Sequence, residues 1–426
     1  MKKGLACLLA LTLLLTSASS AMAIGIEFWH AGASVVGTTI DEEIAAFNST
    51  VGLEKGIEVT GVFQGTYDET LAKTMNAIAA GNQPALVMLE HTTGVPTMAS
   101  NDALVYLDDY AKASNLDLTD FVDILMKHSY DNEGHMIALP YMRSCAVYYY
   151  NKTLFDELKL QAPKTIDELV TVGRAVHQAK PEIYGFEMYC MSGGQWILVN
   201  MLAQLGSNCF SPDGLSCPAL EDGTMLTVLK AWKSWVEEGW CSIPAITNTG
   251  SVLRENFVQG RIASMCYSCG SMSGILSAVA ESEKPFEVGV AYIPTFGIPN
   301  PPIGGNNVGI VKPGNSQEVL DAAWEFLMFL EQPAQAALSS KNTGYVPATK
   351  AAAQTDIIKN LWAEFPTYQT SFEQLLGSSI VTNYSDYSTD FMEVLNNATS
   401  LLIQDGSITP EEALQMMKDE AAIIFP

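Results

Sequence analysis

The stretch Leu139-Pro140-Tyr141-Met142-Arg143-Ser144-Cys145-Ala146-Val147-Tyr148-Tyr149-Tyr150-Asn151 decides how the rest of the chain is read. Its second half, Val147 to Tyr150, is β-branched and aromatic and favours a strand. Ser144, Cys145 and Ala146 are small, so the backbone there can lie close against another element. On both sides the chain alternates strand-like and helix-like segments, the texture of two α/β bodies meeting at one strand. A strand passing between two bodies floors the cleft between them, and such clefts are preferred ligand sites. The same residues also suit an ordinary core strand, and the stretch alone leaves that alternative open.

Working outward, 426 residues suit two domains, because single cores seldom grow past about 250–300 residues. Residues 1–23 read as a secretory signal: Lys2 and Lys3, the apolar run Leu5–Leu15, then the small-x-small site Ala21-Met22-Ala23. That apolar run is too short to span a bilayer. No Cys follows the cleavage site to take a lipid anchor, and no other stretch reads as transmembrane. The formal net charge is −25, and removing Lys2 and Lys3 makes the mature chain more acidic still. Such a field repels nucleic acid and anionic lipid surfaces.

Past the signal, cysteines remain at 145, 190, 209, 217, 241, 266 and 269. In an oxidising compartment some should pair, and the odd count leaves at least one over. Cys209 and Cys217 flank the turn-rich Ser211-Pro212-Asp213-Gly214 and are the expected disulfide.

Taken in order, Ile24–His30, Ile57–Phe63 and Ala85–Leu89 read as three strands separated by helices. Thr66 and Glu69 form a capping box at the start of the second helix. The strand ends carry Trp29-His30, Gln64-Gly65-Thr66-Tyr67 and Glu90-His91. In open α/β sheets, ligands bind beyond such carboxyl ends. Aromatics beside hydrogen-bonding groups suit a polyhydroxylated solute. Past the pivot, Thr165 and Glu168 start another helix, 225–238 is amphipathic, and a helix start is expected near Cys266-Tyr267-Ser268-Cys269-Gly270-Ser271, where free amides can hold a polar ligand.

Six segments in order carry a resemblance: Phe28-Trp29-His30, Asn151-x-x-x-Phe155, Pro163-x-Thr165-x-x-Glu168-Leu169, Phe257-x-x-Gly260-Arg261-x-Ala263-x-Met265, Ala323-Trp324-Glu325-Phe326-x-x-Phe329-Leu330 and Thr343-Gly344-Tyr345-Val346-Pro347. Over most of the mature chain they resemble the extracellular solute-binding proteins of ABC importers. The match is to the large carbohydrate-type class, and within it to the glycerol-3-phosphate-binding proteins. The resemblance implies an α/β, two-lobe periplasmic binding protein fold of class II type, with the ligand cleft between the lobes. It implies lobes of 24–141 plus 290–345 and 142–289 plus 346–426, with crossings near 140–146, 288–294 and 344–348.

The family's ligand tyrosine falls on Tyr67, its carboxylate on Glu90, its hinge serine on Ser144 and its indole on Trp196. A second serine falls on Ser271, with Ser268 as the weaker choice, a backbone glycine on Gly305 and another tyrosine on Tyr345. The phosphate-contacting arginine should fall near Ile380, yet Ser378–Tyr387 holds no Arg or Lys. Arg143, beside the hinge serine, is the candidate substitute, against a solvated or ion-paired role. The implied protein is monomeric and free in the periplasm, since an unanchored receptor would otherwise diffuse away. Its implied partners are a small polar solute (glycerophosphodiester, glycerol phosphate, sugar or polyol) and permease subunits in the inner membrane, with no cofactor and no nucleic acid.

Two other classes compete. A glycosidase needs two carboxylates about 5–9.5 Å apart, and Glu90 is the one cleft acid the sequence names. Cys266-x-x-Cys269 invites a thiol-redox reading, although no thioredoxin-sized βαβ unit surrounds it. The five histidines, at 30, 91, 128, 135 and 177, show no paired metal-ligand spacing. A ligand sensor or other interaction protein on the same fold is not separated from a transport receptor by sequence.

Overall fold

A computed structural model describes residues 23–189, 195–244, 249–379 and 381–426. The stretch read as a secretory signal, before Ala23, lies outside the described residues, as do Cys190 and Ile380. Among the described residues nine strands run in chain order: β1 (Ile24–His30), β2 (Ile57–Phe63), β3 (Leu86–Glu90), β4 (Leu139–Asn151), β5 (Phe186–Glu187), β6 (Cys241–Ser242), β7 (Ser264–Ser268), β8 (Val288–Ala291) and β9 (Ile303–Ile310).

β4 organises them. Its first half, Leu139 to Cys145, pairs antiparallel with β9, which continues through β3 and β1 to β2. Its second half leaves that set. Ala146–Tyr150 pair with β7 on one side, and Tyr148–Asn151 with β8 on the other. The strand therefore belongs to two sheets and is covered on both faces, with Tyr148 and Tyr149 each 0% exposed. A continuous apolar run in place of an alternating one is what such double burial selects.

Each sheet has its own core. In the first, Phe28 meets Phe326, and Phe47 meets Phe326 and Phe329, at ring separations of 5.1–5.8 Å. These rings come from β1 and from the helices Ser34–Ser49 and Gln317–Leu330. In the second, Trp232 and Trp235 of Thr224–Glu237 pack with Phe155, Leu169 and Tyr148. Both expected capping boxes form, at Thr66/Glu69 and Thr165/Glu168. No helix among the described residues is long and apolar enough to cross a membrane.

The chains that cross between the bodies meet at one residue. Arg143 lies opposite Gly305 of β9 and bridges to Val346, whose amide donates to the Arg143 carbonyl at 2.8 Å. A polar pocket sits beneath this point. The Tyr141 hydroxyl donates to Glu43, which is 4% exposed. Burial raises the Glu43 carboxyl to about 8, against the hydrogen bonds from Tyr141 and Ser339. Burial, with Glu43 beside it, likewise pushes Glu331 well up.

Away from the crossing, the bodies touch again at the rim. Thr97 of the helix Gly94–Ser100 hydrogen-bonds Thr389 of Ser388–Thr399 at 2.8 Å, and the Tyr384 hydroxyl donates to the Pro96 carbonyl at 3.3 Å.

Candidate functional site

Seven of the expected residues converge around the crossing. Tyr67 is the first residue of its helix, placed there by the Thr66 cap. Its oxygen accepts from Asn306 Nδ2 at 3.1 Å, and its hydroxyl is hydrogen-bonded with that of Tyr345.

Glu90 ends β3, and its side chain is 22% exposed. One oxygen accepts from the amides of Thr92 (2.8 Å) and Thr93 (2.7 Å) and from their hydroxyls (2.9 and 3.0 Å). The other lies 2.7 Å from His91 Nδ1. Burial alone would push this carboxyl up. His91, the Thr93 amide and the Thr92 hydroxyl outweigh it and bring it to about 2. Burial also lowers His91, more than Glu90 raises it, and the threonine amides and hydroxyls add to the hold of His91 on the carboxylate. The same His91 Nδ1 lies 3.2 Å from the Gly305 carbonyl.

Gly304 marks a close approach to Ser144 and Trp196. A methyl group there would stand 2.8 Å from Ser144 Oγ and 3.1 Å from the Trp196 ring. One at Gly270 would stand 2.5 Å from the Tyr345 ring. Ser271 follows in the same turn, stands at the N-cap position of the helix Met272–Ala280 without a side-chain capping bond, and hydrogen-bonds Tyr267. The expected helix start is thus present. Gly305 itself has φ +87°, and a Cβ on it would lie 2.2 Å from the Met142 carbonyl.

Three of the expected residues stand apart from this group. Trp29 shares a β1 face with Glu27 and donates to its carboxylate at 2.7 Å, so the indole is engaged along the strand. His30 is 3% exposed and packs against Phe28 and Phe63. Neither is brought into contact with the residues above. Arg143 is neither solvated nor in a close ion pair. It is 0% exposed, donates to Asn307 Oδ1, and lies 3.5 Å from His128 Nδ1. Burial lowers its pKa to about 10 although Glu90 and Tyr67 favour its charge, so it stays a cation, set behind the site.

The cysteines also differ from expectation. Cys209 and Cys217 are buried, unbonded thiols in hydrogen-bonding contact, not a disulfide. Cys266 and Cys269 lie in different cores, the first with Tyr148 and the second with Cys145. The two sulfurs of this CxxC thus face different cores and are not paired in the structure.

Sequence reasoning missed Asn306, Tyr189, Tyr267 and Arg254. The Tyr189 and Tyr267 rings are 5.1 Å apart, and the Arg254 guanidinium stands 5.7 Å over Tyr267. Tyr267 was within a quoted motif, and its neighbour Ser271 was the available signal.

The sequence profile of the bacterial extracellular solute-binding proteins matches residues 43–367. The chain belongs to that family. Among curated relatives, the sn-glycerol-3-phosphate-binding periplasmic protein UgpB of Escherichia coli K12 is 26% identical over 373 residues, covering 82% of this chain and 80% of its own. UgpB from Mycobacterium tuberculosis, solved with glycerophosphocholine, superposes with a TM-score of 0.82 at 22% identity, covering 94% of this chain and 98% of that one. Maltose-bound MalE3 of T. maritima gives 0.81 at 21% identity, covering 95% and 100%. The solute-binding protein thus has the two-lobe fold of ABC-importer receptors and is the substrate-binding component of such an importer.

Proposed function

We propose that this solute-binding protein closes around one small polar solute held by Tyr67, Glu90, Ser144, Trp196, Ser271, Gly305 and Tyr345, and hands it to permease subunits as a monomer free in the periplasm. The lobes are 24–141 plus 290–345 and 142–289 plus 346–426. A ligand touching both lobes favours the closed state by its extra contacts there. The protein performs no catalysis in this reading: Glu90 is fixed by its own loop, and its role is to accept hydroxyl protons.

The ligand is a glycerophosphodiester, or a neutral sugar or polyol, in preference to glycerol-3-phosphate. The observation that carries this is the placement of cations. Arg143 is committed to Asn307 and His128, while Glu90 keeps its negative charge. A phosphate monoester brings up to two charges, and burying them beside a carboxylate without a guanidinium is costly. Arg254, over Tyr267, supplies one positive charge and balances one negative charge. The relatives' ligands, sn-glycerol-3-phosphate in one and glycerophosphocholine in another, bracket the same glycerol head.

Calorimetric titration of glycerol-3-phosphate, glycerophosphocholine and a neutral polyol tests this. Micromolar binding of glycerol-3-phosphate that disappears in Arg143→Ala, with the variant's fold checked by circular dichroism, would restore the monoester and overturn the preference.

A further inference from the structure

β9 carries two asparagines side by side, and their side chains are used differently. Asn307 Oδ1 accepts from Arg143, while its Nδ2 donates to the His128 carbonyl at 3.0 Å and to Ser129 Oγ at 3.2 Å. Asn306 is equally buried, at 0% exposure. Its Nδ2 donates to the Tyr67 oxygen at 3.1 Å, but its Oδ1 has no hydrogen-bond partner among the described residues. A buried acceptor without a donor is destabilising, so its persistence calls for a reason.

The surroundings supply one. Asn306 stands directly opposite Glu90 across the antiparallel pair of β3 and β9. Side chains so opposed share one face, with Cβ atoms about 4.5–5.5 Å apart. Gly305 precedes Asn306 in the chain and Tyr67 holds its amide, so three residues of the candidate site surround it. On the β4 side the register slips. Pro140 faces Asn307 and Arg143 faces Gly305, which leaves Tyr141 and Met142 against Asn306 alone. Two residues against one make a β-bulge, which re-aims side chains next to functional sites.

Glu90 shows why a second acceptor is needed. A carboxylate offers about four lone-pair positions, two on each oxygen. Oε2 is filled by two threonine amides and two threonine hydroxyls, and Oε1 already faces His91 Nδ1 at 2.7 Å. What remains suits a single hydroxyl proton. A solute with two adjacent hydroxyls has a second proton to place, and Asn306 Oδ1 is the acceptor beside it.

We propose that Asn306 is a specificity-determining residue of this receptor, its Oδ1 accepting one hydroxyl of a vicinal diol while Glu90 accepts the other. The inference rests on the reading that the polyol head of the solute lies at Glu90, and it narrows the ligand class to solutes carrying a 1,2-diol. A solute with one hydroxyl there satisfies Glu90 and leaves Asn306 Oδ1 unpaired.

Calorimetry tests this with glycerophosphocholine, or with glycerol if only the polyol binds, beside the analogues lacking one or the other hydroxyl of the diol. Loss of either hydroxyl should weaken wild-type binding by about tenfold. In Asn306→Ala one of these two effects should shrink to about twofold or less while the other persists, and in Glu90→Ala the roles exchange. Both effects persisting undiminished in Asn306→Ala would overturn the inference and leave the ligand reading standing. Failure of the wild type to bind either solute would overturn the ligand reading and this inference together. If Asn306→Ala does not fold by circular dichroism, Asn306→Ser, too short to reach the same hydroxyl, is read by the same two outcomes.

Discussion

The amide of Val346 donates to the carbonyl of Arg143 at 2.8 Å, and Gly305 faces Arg143 from the other side. Three separate chain segments thus meet within one residue of each other, and their approach depends on Gly305 having no side chain. With φ at +87° and a virtual Cβ only 2.2 Å from the Met142 carbonyl, Gly305→Ala should force β9 off β4. The expected cost is at least about 2 kcal/mol, from left-handed backbone strain plus overpacking. Thermal denaturation checks it, and an unchanged Tm would show that the crossing tolerates separation.

Glu90→Ala and Trp196→Ala should each weaken ligand binding by roughly 1–3 kcal/mol, the scale of a lost buried partner. Calorimetry with glycerophosphocholine or the best-binding polyol measures this directly. Unchanged affinity in both variants would remove these residues from the site.

Arg254 separates the charged from the neutral ligand class. If a phosphodiester uses the guanidinium over Tyr267, Arg254→Gln should weaken the diester by about tenfold or more, the scale of a charge-assisted hydrogen bond. A neutral polyol should lose little in the same variant. Parallel losses for both ligands would mean that Arg254 only supports the Tyr189–Tyr267 pair.

Glu43 sets a stability trend with pH. Its folded pKa of about 8 lies above the unfolded value of about 4.5 for a glutamate. The folded state therefore binds the extra proton, and stability falls as pH rises from about 4.5 through about 8. Glu43→Gln keeps the neutral shape and should flatten that slope, read as Tm against pH. A wild-type curve that rises across this window would contradict the assignment.

The rim contacts favour the closed state. Thr97→Ala removes the bond to Thr389, and Tyr384→Phe removes the bond to the Pro96 carbonyl. Each should weaken ligand affinity by about 0.5–1.5 kcal/mol, because closure then gains less. Small-angle scattering of the ligand-bound double variant should show a larger radius of gyration than the bound wild type. Identical radii and affinities would show that ligand alone closes the cleft.

What the sequence disclosed was local. The capping boxes at Thr66/Glu69 and Thr165/Glu168 need only four adjacent residues, and both form. The places of Tyr67 and Glu90, just past β2 and at the end of β3, are legible because strand ends show in composition. Alternation along β1 likewise puts Trp29 on the face of Glu27. Arg143 is not legible in that way. Its burial depends on Asn307, 164 residues away, and on the loop of His128. Tyr189 likewise joins the site only because β5 and β7 pair.

Glu90 carries one further consequence. Its carboxylate accepts from four threonine donors and His91, all supplied by its own loop. Nothing has to turn or reorder when a hydroxyl arrives, so the cost of organising the acceptor is met at folding, not at each capture. A fixed anion also sorts solutes by the protons they can offer. Free inorganic phosphate brings negative charge and few protons at neutral pH, and it meets repulsion where a polyol meets a bond.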